Sequence, residues 1–413
     1  MSEATNVHEL DLPEVDVFSK GYTEDPHSHL AEARKHHWLA KYSQGFIVLD
    51  QQGVVDINRA DDDMRTPLRD VVKLFGAEDT AWGKWSANHL VAKDHFDPDH
   101  QRIRRIIAPA FTPKAADSYR HVMQATINEI IDTVIDAHDI DFSERVASKY
   151  PISVLCRIMG FPVEDVPTIE EWVILQNEGY GMDPSIVPIL EAGVLQEQPY
   201  VRGIIETRMQ PGDHPDDLIQ TLVELAKEGE RMSVDELESL LMLLLGGGYD
   251  STKQTLNLCV YMMSRYPDEA KKMADDPERC KRLVEETLRL MGVTGATHRV
   301  ARHDFTYRDV IFPKGTFITL PHLFVGRDPE FHEDPETFNP DRKKFTHTQF
   351  GKGAHICLGM FLAKAEAEEA LKAIVGRMEN IQLAGEPEFD GAFGFWGFRK
   401  LPITFDRIAE SRR

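Results

Sequence analysis

The chain has 413 residues, with 47 Lys and Arg against 69 Asp and Glu and a net charge of -22 at pH 7. That balance excludes nucleic acid and anionic membrane surfaces as partners, because both repel a strongly acidic protein. A hydrophobic fraction of 42% supports a large core, and the four cysteines (Cys156, Cys259, Cys280, Cys357) are too scattered for a paired-cysteine zinc or redox motif or a disulfide framework, which points to a reducing, cytoplasmic compartment.

Residues 1–24 read as a loosely held arm, and 25–413 as one domain. Residues 1–16 show no basic segment followed by an apolar one, so no signal peptide is expected. The longest apolar run, 240–245, is far too short to span a bilayer. Asp25 and Pro26 open a helix over 25–37. Segments 45–49 and 54–57 read as short strands joined by Gln51, Gln52 and Gly53. A helix follows over 61–72. Periodicity then fails over 73–98, where Trp82, Trp85, His89 and Phe96 lie in a long loop. Such loops are often functional, and an ordinary connection with both Trp side chains tucked inward fits equally well. A basic helix over 99–110 places His100 and Arg104 on one face. That face is either simply solvated or a pair of donors for a carboxylate.

Apolar residues at i, i+3 and i+4 predict helices over 114–137, 143–159, 163–175, 188–208 and 216–228. Gly and Pro punctuate them at 160–162, 181–184 and 211–213. No repeat of about twenty to fifty residues recurs. Ser233 and Glu236 form a capping box that opens a long helix over 234–263. In its middle stands GGGYDST, residues 246–252. Three glycines inside a helix cost roughly 2–3 kcal/mol relative to alanine. Either one helix ends there and another begins with Asp250 or Ser251 as N-cap, or a locally opened helix lies across a cofactor. In the second case Asp250, with the hydroxyls of Ser251 and Thr252, can relay protons.

A helix over 280–290 carries Glu286 and Arg289 on one face. Short strands are expected at 305–307, 310–312, 316–320 and 401–405, with a turn at 313–315. The aromatic stripe Phe393, Phe395, Trp396 and Phe398 precedes the last of these.

The stretch FGKGAHICLG at 350–359 sets one cysteine in a glycine-rich loop directly ahead of a helix starting at Met360. Gly351, Gly353 and Gly359 suit a backbone folded closely under a flat bound object. The helix turns its N-terminal amides toward the Cys357 thiol and favours a thiolate. Such a thiolate is a soft ligand for iron and a standard axial ligand of haem.

With its Phe350, Gly353, Cys357 and Gly359, this loop closely resembles the haem-binding loop of the cytochrome P-450 family. The resemblance extends through nearly the whole chain from residue 25. It implies a mainly α fold with a small β portion and a long central helix across the haem. It also implies that Cys357 ligates the iron of haem b and that Phe350, Gly359 and Gly247 lie against the haem. His100, Arg104, Arg299 and His355 would reach the haem propionates. The 246–252 run is similar to the family's oxygen-binding segment, with Asp250 as the acid and Ser251 in the place of the usual Thr. Glu286, Arg289 and Arg342 match the family's structural Glu-x-x-Arg and its later Arg partner.

The activity implied is insertion of one oxygen atom from dioxygen into a hydrophobic small molecule, of terpenoid, steroid-like or aromatic kind. Electrons would come from NAD(P)H through a reductase and a ferredoxin-type partner, docked on Arg105, Lys343, Lys344, Lys352 and Lys364. Trp82, Trp85, Leu243, Gly246, Val293, Thr294, Ala296, Phe393 and Phe395 are the candidates for the substrate pocket. The lack of a membrane anchor looks like the soluble bacterial branch. A peroxide-driven or isomerising haem enzyme on the same fold is the alternative, and a non-catalytic helical protein with a structural Cys357 is a second. The acid and alcohol at 250–251 argue against the peroxide version.

Overall fold

The computed structural model describes residues 4–179, 182–227, 231–391 and 393–409. Residues 1–3 of the expected arm, Gly181 of the expected break and Glu228 at the expected helix end lie outside the described residues. The helices gather around Val234–Arg265, which packs against Lys149–Met159, Val166–Glu178, Val187–Met209, Arg279–Leu290 and Met360–Val375. Its capping box forms as the sequence predicts: Ser233 Oγ accepts from the Glu236 N–H, and the Glu236 carboxylate accepts from the Ser233 N–H at 2.8 Å. Among the described residues, no helix is long and apolar enough to cross a membrane.

The β portion is spread over four small sheets, two of which contact the central helix. Five strands form its main sheet in the order Leu39–Tyr42, Gly45–Val48, Phe317–Leu320, Thr297–Ala301 and Met64–Arg65. Arg299 pairs with Ile318 in this sheet, and both are buried. Two three-stranded sheets and a hairpin complete it.

Several expectations are corrected. The arm is not loose: Thr5–Asn6 pairs in parallel with Val310–Phe312, and Val7, Leu12, Val15, Val17 and Tyr22 are buried in the core. Segment 54–57 is not a strand but lies in the helix Gln51–Arg59, because Asp50 accepts the Gly53 N–H at 2.8 Å and caps it. The Val54 and Ile57 side chains then share a buried face at i and i+3. The expected 61–72 helix divides into the strand Met64–Arg65 and the helix Leu68–Leu74. The expected loop at 73–98 contains the helix Ala81–Asn88, capped by Thr80.

The central helix shows neither the expected stop nor a local opening; it runs through all three glycines. Packing explains why glycine is tolerated. A Cβ on Gly246 would stand 2.4 Å from Gln176 Oε1, and one on Gly248 would stand 2.8 Å from Leu155 Cδ1. Two neighbouring helices therefore approach closer than an alanine would allow, and the Asn177 amide donates to the Gly246 carbonyl at 3.2 Å.

Candidate active site

The cysteine loop is held from both sides. Gly351 and Gly353 take φ of +67° and +73°, a region that L side chains rarely adopt. Gly353 also has no room, since a Cβ would meet the Asn58 carbonyl oxygen at 2.6 Å. Asp61 accepts the Ala354 N–H at 2.9 Å, and the Cys357 N–H donates to the Phe350 carbonyl at 2.8 Å. Gly359 is different: its φ is ordinary, and a Cβ there would meet open space. Its N–H donates to the thiol.

Cys357 is exposed, yet burial raises its thiol pKa above the usual 9.0, opposed by the Gly359 N–H and by Arg104. The two observations agree for a group at the floor of a recess, which solvent reaches although protein surrounds it on most sides. The other three cysteines are buried, with thiols pushed up to about 12 by burial. They are ordinary core residues.

Behind the loop, Glu286 and Arg289 are fully buried and doubly bonded, at 2.7 and 2.8 Å. Arg342 joins Glu286 at 3.0 Å, and the Asn339 N–H donates to the same carboxylate at 2.8 Å. The remaining guanidinium hydrogens reach the carbonyls of Gly326, Glu333, Asp334, Pro335 and Thr337. The group therefore ties the 326–342 coil to the Arg279–Leu290 helix. Gln349 extends the same work to the other shoulder. Its Oε1 accepts from the Val293 and Thr294 N–H groups at 2.7 and 2.8 Å, and its carbonyl accepts the Thr294 hydroxyl at 2.9 Å.

On the loop's other flank the structure brings together His100, Arg104, Arg299 and His355. The His100 and His355 rings lie 4.8 Å apart, and Arg104 donates to the Ile356 carbonyl. Arg299 donates to Asn58 Oδ1 at 2.6 Å. Among the described residues none of the four is in an ion pair, and the buried His100 Nε2 has no hydrogen-bond partner. Burial and the cations Arg299, His100 and Arg104 push His355 down to about 3. Burial lowers Arg299 to about 10, against the pull of Asp61.

Such a cluster calls for anions that the protein does not supply. It fits the carboxylates of a haem whose iron faces Cys357: an accessible thiol, an N–H aimed at it, and four donors with spare capacity.

The central helix borders two neighbouring recesses, which share Asn177 in their linings. Leu243, Gly247 and Ser251 recur at i, i+4 and i+8 and so form one stripe. Gly246, Gly247 and Leu243 line a cavity closed by Trp82 and Trp85 of the Ala81–Asn88 helix. Asp250, one turn beyond Gly246 on the same side of the helix, lines a second cleft with Glu178, Lys253, Asp390, Phe393 and Phe395. The expected pocket residues are thus split between two recesses. Burial raises the Asp250 carboxyl to about 6, opposed by Lys253 and aided by Asp390 and Glu178. Thr252 is buried away from both lining sets.

Val293, Thr294 and Ala296 line neither recess. Their segment is stitched to the C-terminal turn instead: the Gly295 N–H reaches the Gly394 carbonyl and the Trp396 N–H reaches the Val293 carbonyl, each at 2.7 Å.

Sequence reasoning missed Gln176 and Asn177, which line the first cavity, and Asn58, Asp61 and Gln349, which brace the loop. No local pattern marks these residues. The Asn58–Arg299 contact spans 241 positions. Of the basic docking residues, Arg105, Lys343 and Lys344 are exposed. Lys364 turns inward, bonding Glu285 at 2.5 Å and lying over the Phe350 ring at 5.0 Å.

Residues 198–385 match the family model for cytochrome P-450. Over 400 residues the chain is 30% identical to luteothin monooxygenase of Streptomyces thioluteus, covering 96% of each chain. It is 29% identical to cyclomarin C epoxidase of Salinispora arenicola over 324 residues, covering 78% of this chain and 81% of that one. Among solved structures, the bacillaene polyketide synthase cytochrome P-450 of Bacillus subtilis 168 superimposes with a TM-score of 0.82 at 26% identity, covering 94% of this chain and 98% of that one.

Proposed function

This chain belongs to the cytochrome P-450 family and is a haem monooxygenase, and from that premise we propose that it oxygenates an apolar small molecule. The observation that carries the reading is Cys357 itself. It is an accessible thiol at a helix N-terminus that receives the Gly359 N–H and is flanked by four donors without ion-pair partners. The haem would be haem b, as the family resemblance implies.

When bound, the haem supplies dioxygen activation and oxygen transfer, which no amino-acid side chain can perform. The protein's residues do the rest. Cys357 provides the thiolate, which donates electron density to the iron. His100, Arg104, Arg299 and His355 meet the propionates and set the cofactor's orientation. Trp82, Trp85, Leu243 and Val71 exclude water from the cavity and present the substrate. Ser251 Oγ continues the Leu243–Gly247 stripe and hands protons toward the reaction. Asp250 recharges it from the second cleft, with a carboxyl near 6 that holds or releases a proton close to neutrality. Each turnover consumes dioxygen, two electrons and two protons, places one oxygen in the substrate and releases the other as water.

The electrons come from NAD(P)H through a ferredoxin-type protein. Exposed Arg105, Lys343 and Lys344 are basic points on an otherwise acidic surface that support such docking. The cytoplasm, with its reducing poise, suits a chain whose cysteines are all unpaired.

A carbon monoxide difference spectrum of the reduced protein tests the reading. The expected result is the red-shifted band of thiolate-ligated haem, lost in C357A. A folded, haem-replete protein without that band would overturn it.

A further inference from the structure

Two adjacent carboxylates on the Arg279–Leu290 helix hold different partners. Glu286 binds Arg289 and Arg342. Glu285 instead joins the two ends of the cysteine loop. Its Oε1 accepts from the Lys364 ammonium at 2.5 Å, on the helix that follows the loop, and its Oε2 bonds His347 Nε2 at 3.2 Å, just ahead of Phe350. The Gln349 N–H donates to His347 Nδ1 at 3.3 Å, so a neutral ring carries its hydrogen on Nε2 and donates it to Glu285. Burial lowers the His347 pKa and keeps that ring neutral, against the pull of Glu285. Despite its own burial, the Glu285 carboxyl is held below its usual 4.5 by the bonds from His347 and Lys364. The cluster is thus one cation against one anion, with the Lys364, Glu285 and His347 side chains 24%, 19% and 6% exposed.

The other neighbour of this cation is Phe350. Lys364 Nζ lies 5.0 Å from the centre of its ring, and the His347 ring lies 5.9 Å from it. The face of an aromatic ring attracts a cation. The Phe350 carbonyl in turn accepts the Cys357 N–H at 2.8 Å. One residue therefore carries both the ring under the ammonium and the anchor of the cysteine. A lysine that meets a partner protein extends into solvent, whereas this one is engaged by a carboxylate and a ring.

We propose that Lys364 is a positioning residue for the thiolate and not a contact for the electron donor: its ammonium, fixed by Glu285, holds the Phe350 ring and sets the electrostatic field at Cys357, and with it the ease of haem reduction. The proposal rests on the haem-thiolate reading. The two charges of the pair act in opposite directions, because a nearby cation favours an added electron and a nearby carboxylate opposes it.

Equilibrium redox titration of the holoenzyme tests it, on wild type, K364M, K364R, E285Q and the double variant of E285Q with K364M. The wild type is first required to show the thiolate carbon monoxide band; its absence would overturn the haem-thiolate reading instead. K364M leaves the Glu285 carboxylate uncompensated, so the haem should become harder to reduce, by about two- to fivefold in the reduction equilibrium, the scale of a partly exposed ion pair. E285Q leaves the ammonium uncompensated and should make reduction easier by a similar factor. K364R and the double variant keep the charges balanced and should stay near wild type. Loosening of the loop would move both single variants the same way, so opposite signs separate the field from a merely structural role. If K364M does not hold haem, E285Q decides alone: easier reduction supports the proposal, and no change or harder reduction overturns it. Shifts of one sign in both single variants, no shift in either, or an unchanged potential in K364M with salt-dependent loss of reduction by a two-iron ferredoxin would each overturn it as well.

Discussion

Glu286 and Arg289 are fully buried, and Arg299 is nearly as deep, yet the surroundings of the two arginines are opposite. Arg289 faces a carboxylate and three carbonyls, and Arg342 shares the same anion. Arg299 meets one amide oxygen and one carbonyl, with no ion-pair partner among the described residues. The first cluster is complete within the chain and serves the fold. The second has no ion pair among the described residues, and in the proposed reading the haem carboxylates complete it. Residual bonding capacity in a buried group thus separates site residues from scaffold, where burial alone does not.

The largest expected effect lies between the clusters. C357A removes the one group neither can replace, so the thiolate band and turnover should both vanish. E286Q should follow, because breaking a buried pair leaves an uncompensated charge. A loss of about 3–5 kcal/mol is expected in urea unfolding of the haem-free protein. R299L is the counterpart that can break the comparison. It removes a buried cation that has no ion pair among the described residues and only the longer-range pull of Asp61, so the haem-free protein should lose little or gain stability, while haem transfer to a competing apoprotein should quicken. Equal destabilisation by E286Q and R299L would show that both clusters are scaffold.

Asp250 offers a third contrast, readable by pH. Its folded value of about 6 lies above the usual 3.8. Folding therefore disfavours its ionised form, and the wild type should lose stability as pH rises from about 4 to about 6. By linkage the loss is at most about 3 kcal/mol. D250N should flatten that part of the Tm–pH curve and be the more stable protein at pH 7.

The smallest effects separate two adjacent glycines. G246A drives a methyl toward Gln176 Oε1, whose amide is already bonded to Glu197, and should cost about 1–3 kcal/mol. G247A meets open space and should gain up to about 1 kcal/mol from helix propensity. It should also shrink the cavity, visible as weaker binding of bulky probes.

Much of this was legible from local pattern. The long helices announced themselves by apolar spacing, the central helix by its capping box, and the cysteine loop by its glycines. Errors fell where local signals were short or ambiguous. Val54 and Ile57 have strand-forming side chains, but the Asp50 cap and a buried i, i+3 face decided for helix. The Ala81–Asn88 helix is only eight residues long, too short for a 3.6-residue period to stand out. The three glycines read as a break because propensity was counted without the Gln176 and Leu155 side chains that exclude any larger residue from two of them.

By itself, the sequence determined the family, the helical class and the order of the motifs along the chain. All of these depend on residue identity over ten or fewer neighbouring positions. Tertiary structure alone decided that Asp250 lines a cleft with Glu178, Lys253 and Asp390, that Asn58 and Asp61 brace a loop nearly 300 residues away, and that the Trp85 N–H stays unpartnered. Each of these depends on which groups meet across space and which do not. Hydrogen-bond satisfaction and burial are properties of the packed whole, carried by no stretch of the chain alone.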